Sequence, residues 1–143
     1  MDYLWIIFAL LSAVSAALVA IFGKIGLQGI DTNTATAIRA VIMAIFLIGV
    51  VIIQGKLGEV RGILSGSRTM LFIILSGIAG ALSWLFYFIA LKNAKVSQIV
   101  PIDRMSVVFA LVLAFIFLGE KISLKAAIGA ALVVAGGIMI ALG

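Results

Sequence analysis

The stretch Tyr3–Gly23, YLWIIFALLSAVSAALVAIFG, carries neither a charged side chain nor a proline. A helix needs about 20 mostly apolar residues to cross a hydrocarbon core, and Asp, Lys or Arg at its centre costs about 2.5–3.5 kcal/mol on insertion scales. The stretch satisfies both conditions. Small residues at Ala13, Ser15 and Ala17 raise the alternative of a secretory leader, but no basic segment precedes the run, and it stays apolar for a full membrane thickness. That suits a retained span.

Outward from this stretch, the same criterion marks four more runs: 35–54, with Arg39 near its start, 69–91, 98–118, which holds Asp103 and Arg104, and 124–142. Composition points the same way. Hydrophobic residues make up 66% of the 143, mean hydropathy is +1.43, and charged residues reach only 10%, against about 25% in soluble domains. So little polar surface cannot cover a water-soluble globule, and lipid becomes the expected solvent. The expected fold is all-α, a polytopic membrane bundle of five transmembrane helices forming a single domain over 1–143. An Asp31-Thr32 pair is placed to cap the second helix, and 55–68, with four glycines among Lys56, Glu59, Arg61 and Arg68, reads as a loop.

The chain contains no Cys and no His, which removes thiol chemistry, Cys-based metal sites and imidazole acid–base catalysis. No nucleotide loop, metal site or nucleophile paired with a base is visible, so an enzyme is not expected and no cofactor is implied. The basic balance, with a pI of about 10.0, fits loops meeting anionic headgroups and not nucleic acid.

An odd number of spans puts the termini on opposite sides, and the Lys and Arg tally decides which. On the N-terminal side lie Lys56, Arg61, Arg68, Lys121 and Lys125; opposite lie Lys24, Lys92 and Lys95, joined by Arg39 and Arg104 if these snorkel. Such weak bias permits insertion in both orientations, and two oppositely inserted copies would make an antiparallel homodimer. An ordinary protein with its N-terminus inside fits the tally as well.

Polar groups within the spans supply the candidate site. Pro101, Asp103, Arg104 and Ser106 fall in the first half of the fourth span. Pro101 either starts a helix or breaks one, freeing the Ser97 carbonyl. Asp103 shares a face with Ser106, and an ionisable group at that depth is either a substrate or proton site or a structural ion pair. In the third span Trp84 and Tyr87, at i, i+3, share a face that suits a substrate wall. Gly129 and Gly136 in the fifth span lie seven residues apart on one stripe, a candidate dimer seam or an internal packing face.

Arg39, then Ala90-Leu91-Lys92-Asn93-Ala94 leading to Pro101, then Phe117-Leu118-Gly119-Glu120-Lys121 and the glycine-spaced 129–136 together resemble one EamA repeat of the drug/metabolite transporter superfamily. The resemblance covers essentially the whole chain. It implies a fold of five helices that is usually present twice, inverted, in a ten-helix transporter; with one repeat, it implies an antiparallel homodimer. The last helix is also similar to the dimerising helix of small multidrug resistance transporters. Those carry an acidic residue in the first span, whereas none lies between Asp2 and Asp31 here, so Asp103 is the candidate for proton or ion coupling.

The expected function is therefore alternating-access transport of small polar or amphipathic metabolites, amino-acid-like solutes favoured, in the cytoplasmic membrane. Asp103, Arg39, Ser106, Trp84 and Tyr87 are the cavity candidates. The alternatives are a non-transporting scaffold subunit of a larger complex and a passive channel.

Overall fold

A computed structural model describes residues 3–143, and helices dominate it. Five segments are long and apolar enough to cross a membrane: α1 (Leu4–Gly26), α2 (Thr32–Ile53), α4 (Ser67–Asn93), the composite segment Val96–Leu118, and α7 (Leu124–Leu142). Several run two or three residues past the apolar runs in the sequence. Lys24, Thr32 and Lys92 are tolerated in terminal turns, because a polar tip there still reaches the interface.

The composite segment contains α5 (Val96–Asp103), a break at Arg104–Met105, α6 (Ser106–Leu113) and a π turn (Ala114–Leu118). Pro101 lies inside α5 and does not start it. Lacking an N–H, it leaves the Ser97 carbonyl without its helical donor. Just beyond, the ladder tightens: Met105 N–H donates to Ile102 O at 3.0 Å and Val107 N–H to Arg104 O at 3.1 Å. These are i→i+3 bonds, which end one helix and start the next. The π turn ends at Gly119, whose φ of +66° suits glycine. Its N–H and that of Glu120 both reach Ala114 O, closing the Leu-Gly-Glu-Lys turn.

The chain packs as two units, α1 with Asn93–Gly143 and the segment Leu27–Lys92. In the first unit, α5 lies along α7. Gln98 spans their ends, accepting from Lys95 N–H at 3.3 Å and donating to Ala141 O at 3.5 Å. Three residues on, the Pro101 carbonyl faces Gly137, where a Cβ would sit 3.0 Å from the oxygen. Lys24 Nζ donates to Ala94 O at 2.8 Å, and the Ser123 hydroxyl caps α7 by accepting from Ala126 N–H at 3.1 Å. Most large apolar side chains face outward, which in water would be untenable and in lipid is the favourable arrangement.

In the second unit, 57–65 is a helix, α3 (Leu57–Ser65), where the sequence suggested a loop. Its glycines, Gly58 and Gly62, fall on the polar side. Leu57, Val60, Ile63 and Leu64 share a stripe about 120° wide, and Leu57 and Leu64 remain 56% and 59% exposed. Amphipathic spacing outweighs the helix penalty of two glycines, about 1 kcal/mol each.

Asp31 caps α2 as the sequence implies. Its carboxylate accepts from Thr34 N–H at 2.7 Å and from the Thr34 hydroxyl at 2.9 Å. The backbone bond first, then the hydroxyl, hold the Asp31 carboxyl below its usual value, with Lys92 adding a smaller electrostatic pull. A folded-state pKa below the unfolded one contributes stability that is present above the unfolded value, about 3.9, and lost as pH falls through the folded value. We expect Asp31→Ala to lower the thermal unfolding midpoint at neutral pH, with variant and parent converging in strong acid. A constant difference across that range would show that the charge is irrelevant.

Candidate functional site

Asp31 starts α2, and one face of that helix carries Asn33, Thr36, Arg39 or Ala40, Met43 and Leu47, spaced by three or four residues. Opposite run Gly77, Gly80, Ala81 and Trp84 of α4. Between the two helices lies a cleft of about 530 Å³, within the range of small-molecule sites, about 300–1,000 Å³. A Cβ on Gly77 or Gly80 would meet nothing within 4 Å. These glycines open the cleft and do not seat a neighbouring helix.

Arg39 is half-buried, and its guanidinium carbon lies 3.7 Å from the centre of the Trp84 ring and 5.2 Å from that of Phe88. The indole is fixed in turn by edge-on contacts with Tyr87 at 5.7 Å and Phe88 at 5.8 Å. Phe88 and Leu91 are buried, which anchors the aromatic cluster. Cation–π attraction contributes about 0.5–2 kcal/mol, more as water is excluded. Thr36 is turned to its own helix, its hydroxyl donating to Thr32 O at 2.7 Å, so toward the cleft it offers only an acceptor. Lys92 Nζ donates to Ile30 O at 3.1 Å, tying the end of α4 to the turn before α2.

Of the five cavity candidates, then, Arg39 and Trp84 line one cleft, and Tyr87 stands behind Trp84. Asp103 and Ser106 belong to the other unit, where they flank the Arg104–Met105 break, both exposed. In α1 the Ser15 hydroxyl donates to Leu11 O at 2.8 Å within its own helix, as helical serines commonly do. Among the described residues, no group of three potential metal ligands comes together.

A second cavity, about 510 Å³, lies between α6 and α7 and is lined only by apolar side chains such as Val108, Val112, Ala127 and Ala131. It offers nothing to orient a polar solute. On α7, Ala130 and Gly137 are buried, while a Cβ on Gly129 or Gly136 would meet nothing within 4 Å. Within its own unit that stripe leaves room for side chains that no neighbour fills. The sequence singled out that stripe and passed over Gly137, the glycine at the close helix approach.

Comparison with known proteins agrees with this architecture. No solved structure matches the chain significantly. A Sinorhizobium sp. protein named "Uncharacterized transporter in cobO 3'region" is 39% identical over 144 residues, covering 99% of this chain and 99% of its own length. The EamA-like transporter family model matches residues 3–142. Five spans, the Gly119 turn and a match over nearly its whole length establish that the chain belongs to the EamA-like transporter family.

Proposed function

We propose that the protein transports small polar or amphipathic metabolites, amino-acid-like solutes favoured, by alternating access in a dimer of inverted protomers in the cytoplasmic membrane. The observation that carries this reading is the α2–α4 cleft, where a cation held on an indole stands among mostly apolar walls of two spanning helices. Arg39 and Trp84 receive the solute, and Tyr87 fixes the indole. Asp103, with Ser106 beside it, serves as the proton or ion coupling group. The chain acts as a carrier and not as an enzyme.

Two features support the inverted pair. Lys and Arg are nearly balanced between the two sides, five against three before Arg39 and Arg104 are assigned, so neither orientation is strongly favoured. The Gly129–Gly136 stripe is also open, which suits a seam at which helices of two copies approach closely.

Because the protein lacks Cys, Lys121→Cys provides a single reporter. A membrane-impermeant maleimide should label about half the molecules in intact cells and the rest after permeabilisation. One-sided labelling would overturn the inverted homodimer. Transport itself is read in proteoliposomes, where saturable uptake and counter-transport are expected; flux that rises linearly with concentration would mean a channel, and inert protein would point to a scaffold.

A further inference from the structure

We infer that the α2–α4 cleft recognises its solute by a carboxylate, seated on Arg39, and needs no ammonium group to do so. The inference rests on the cleft being the solute site proposed above, and it names the end of the solute that carries the affinity. Among the described residues, Arg39 is the only charged side chain lining the cleft. Among the described residues, the contacts of its guanidinium are with the faces of Trp84 and Phe88. A guanidinium held face-on to an indole keeps its N–H donors at the edge of its plane, in the fork that matches a carboxylate.

The rest of the lining fits this head group. Asn33, six residues before Arg39 on the same helix, carries the one amide in the lining. Past Arg39 the walls turn apolar, with Met43, Leu47 and Gly77 offering an apolar groove for a short hydrocarbon body. An ammonium group finds no carboxylate in this lining and meets the charge of Arg39 instead. At 4 Å, two like charges repel by an amount that grows steeply as water is excluded. A carboxylate with an apolar tail satisfies both ends of the cleft, whereas an amine with the same tail satisfies one and opposes the other.

The test uses the two tryptophans. Trp5→Phe leaves Trp84 as the sole indole, so its fluorescence in nanodiscs of zwitterionic lipid reports the cleft directly. Titration with hexanoate is expected to give a saturable change, with norleucine close behind and hexylamine weaker by about tenfold or more, the effect of one charge-assisted hydrogen-bonded pair. Arg39→Gln should weaken hexanoate by a similar factor and Arg39→Lys should restore part of it, with gel filtration showing that both variants are folded. Hexylamine binding as tightly as hexanoate, norleucine binding far more tightly than hexanoate, or a hexanoate response that survives Arg39→Gln would each overturn the inference. In discs containing phosphatidylglycerol, a response already complete before hexanoate is added would assign the cleft to a lipid headgroup and overturn the solute. No saturable response to any of the three would remove the cleft as the site, while counter-transport in proteoliposomes would still decide separately whether the protein is a carrier.

Discussion

Gly137→Leu is expected to prevent the chain from folding, while Gly136→Leu, one residue away, leaves the fold intact. The difference lies in what each position faces. A Cβ at 137 stands 3.0 Å from the Pro101 carbonyl oxygen and 3.5 Å from its carbonyl carbon, both backbone atoms that yield only if α5 moves off α7. Met105 N–H, which a regular helix would aim at that carbonyl, bonds instead to Ile102 O. Proline and glycine thus work as a pair across two helices. Overpacking a well-fitted contact costs about 1–3 kcal/mol and occasionally more, out of a total stability of about 5–15 kcal/mol. Gly137→Ala should fall within that first range and Gly137→Leu beyond it, seen as loss of the monodisperse peak in gel filtration. Gly136→Leu keeps the peak but, if the glycine stripe is the seam, shifts it from dimer to monomer. Equal behaviour of the two leucine variants would contradict this account of α7.

The second large effect is expected at Asp103. Replacement by Asn keeps the size and the hydrogen-bonding oxygen but removes the charge. If Asp103 couples a proton or ion to transport, Asp103→Asn should abolish the pH dependence of uptake and remove the stimulation of flux by an imposed gradient. Counter-transport, which needs no net coupling, should persist. The position suits such a role: Asp103 is the last residue of α5, beside a break in the helix where it stands exposed and not packed as a core ion pair. Unchanged flux and pH profile would rule out the coupling role, and loss of counter-transport as well would indicate a group that holds the fold or the solute.

The parts of the fold that follow from local chemistry are legible in the sequence. Spanning helices declare themselves through the absence of charge, the Asp31 cap through an Asp–Thr pair before an apolar run, and the turn at Gly119 through the Leu-Gly-Glu-Lys motif. What depends on phase between helices is not. Gly136 and Gly137 are adjacent and chemically identical, so the sequence cannot say which faces α5, and the wider heptad spacing with Gly129 favours the wrong one for close packing within the chain. Arg39 and Trp84 both stand out as polar groups at depth, yet their stacking depends on the antiparallel register of α2 and α4. α3 was concealed by glycine content, a penalty that its apolar stripe outweighs. The π turn has no sequence signal; its one-residue excess is absorbed before the left-handed Gly119.

α3 sets a mechanical boundary on the cleft. It joins the end of α2 to the start of α4 through only Gln54, Gly55 and Lys56 on one side and Gly66 on the other. Being helical, it acts as a strut of about 13 Å whose own bonds resist stretching. The two cleft walls therefore cannot separate freely at that end. Both connections turn at glycine, Gly55 with a φ of +69° and Gly66 with a ψ of 92°. At the opposite end the Lys92 ammonium holds the Ile30 carbonyl, so the cleft is tied at both ends, covalently through α3 and by a hydrogen bond beside Asn33.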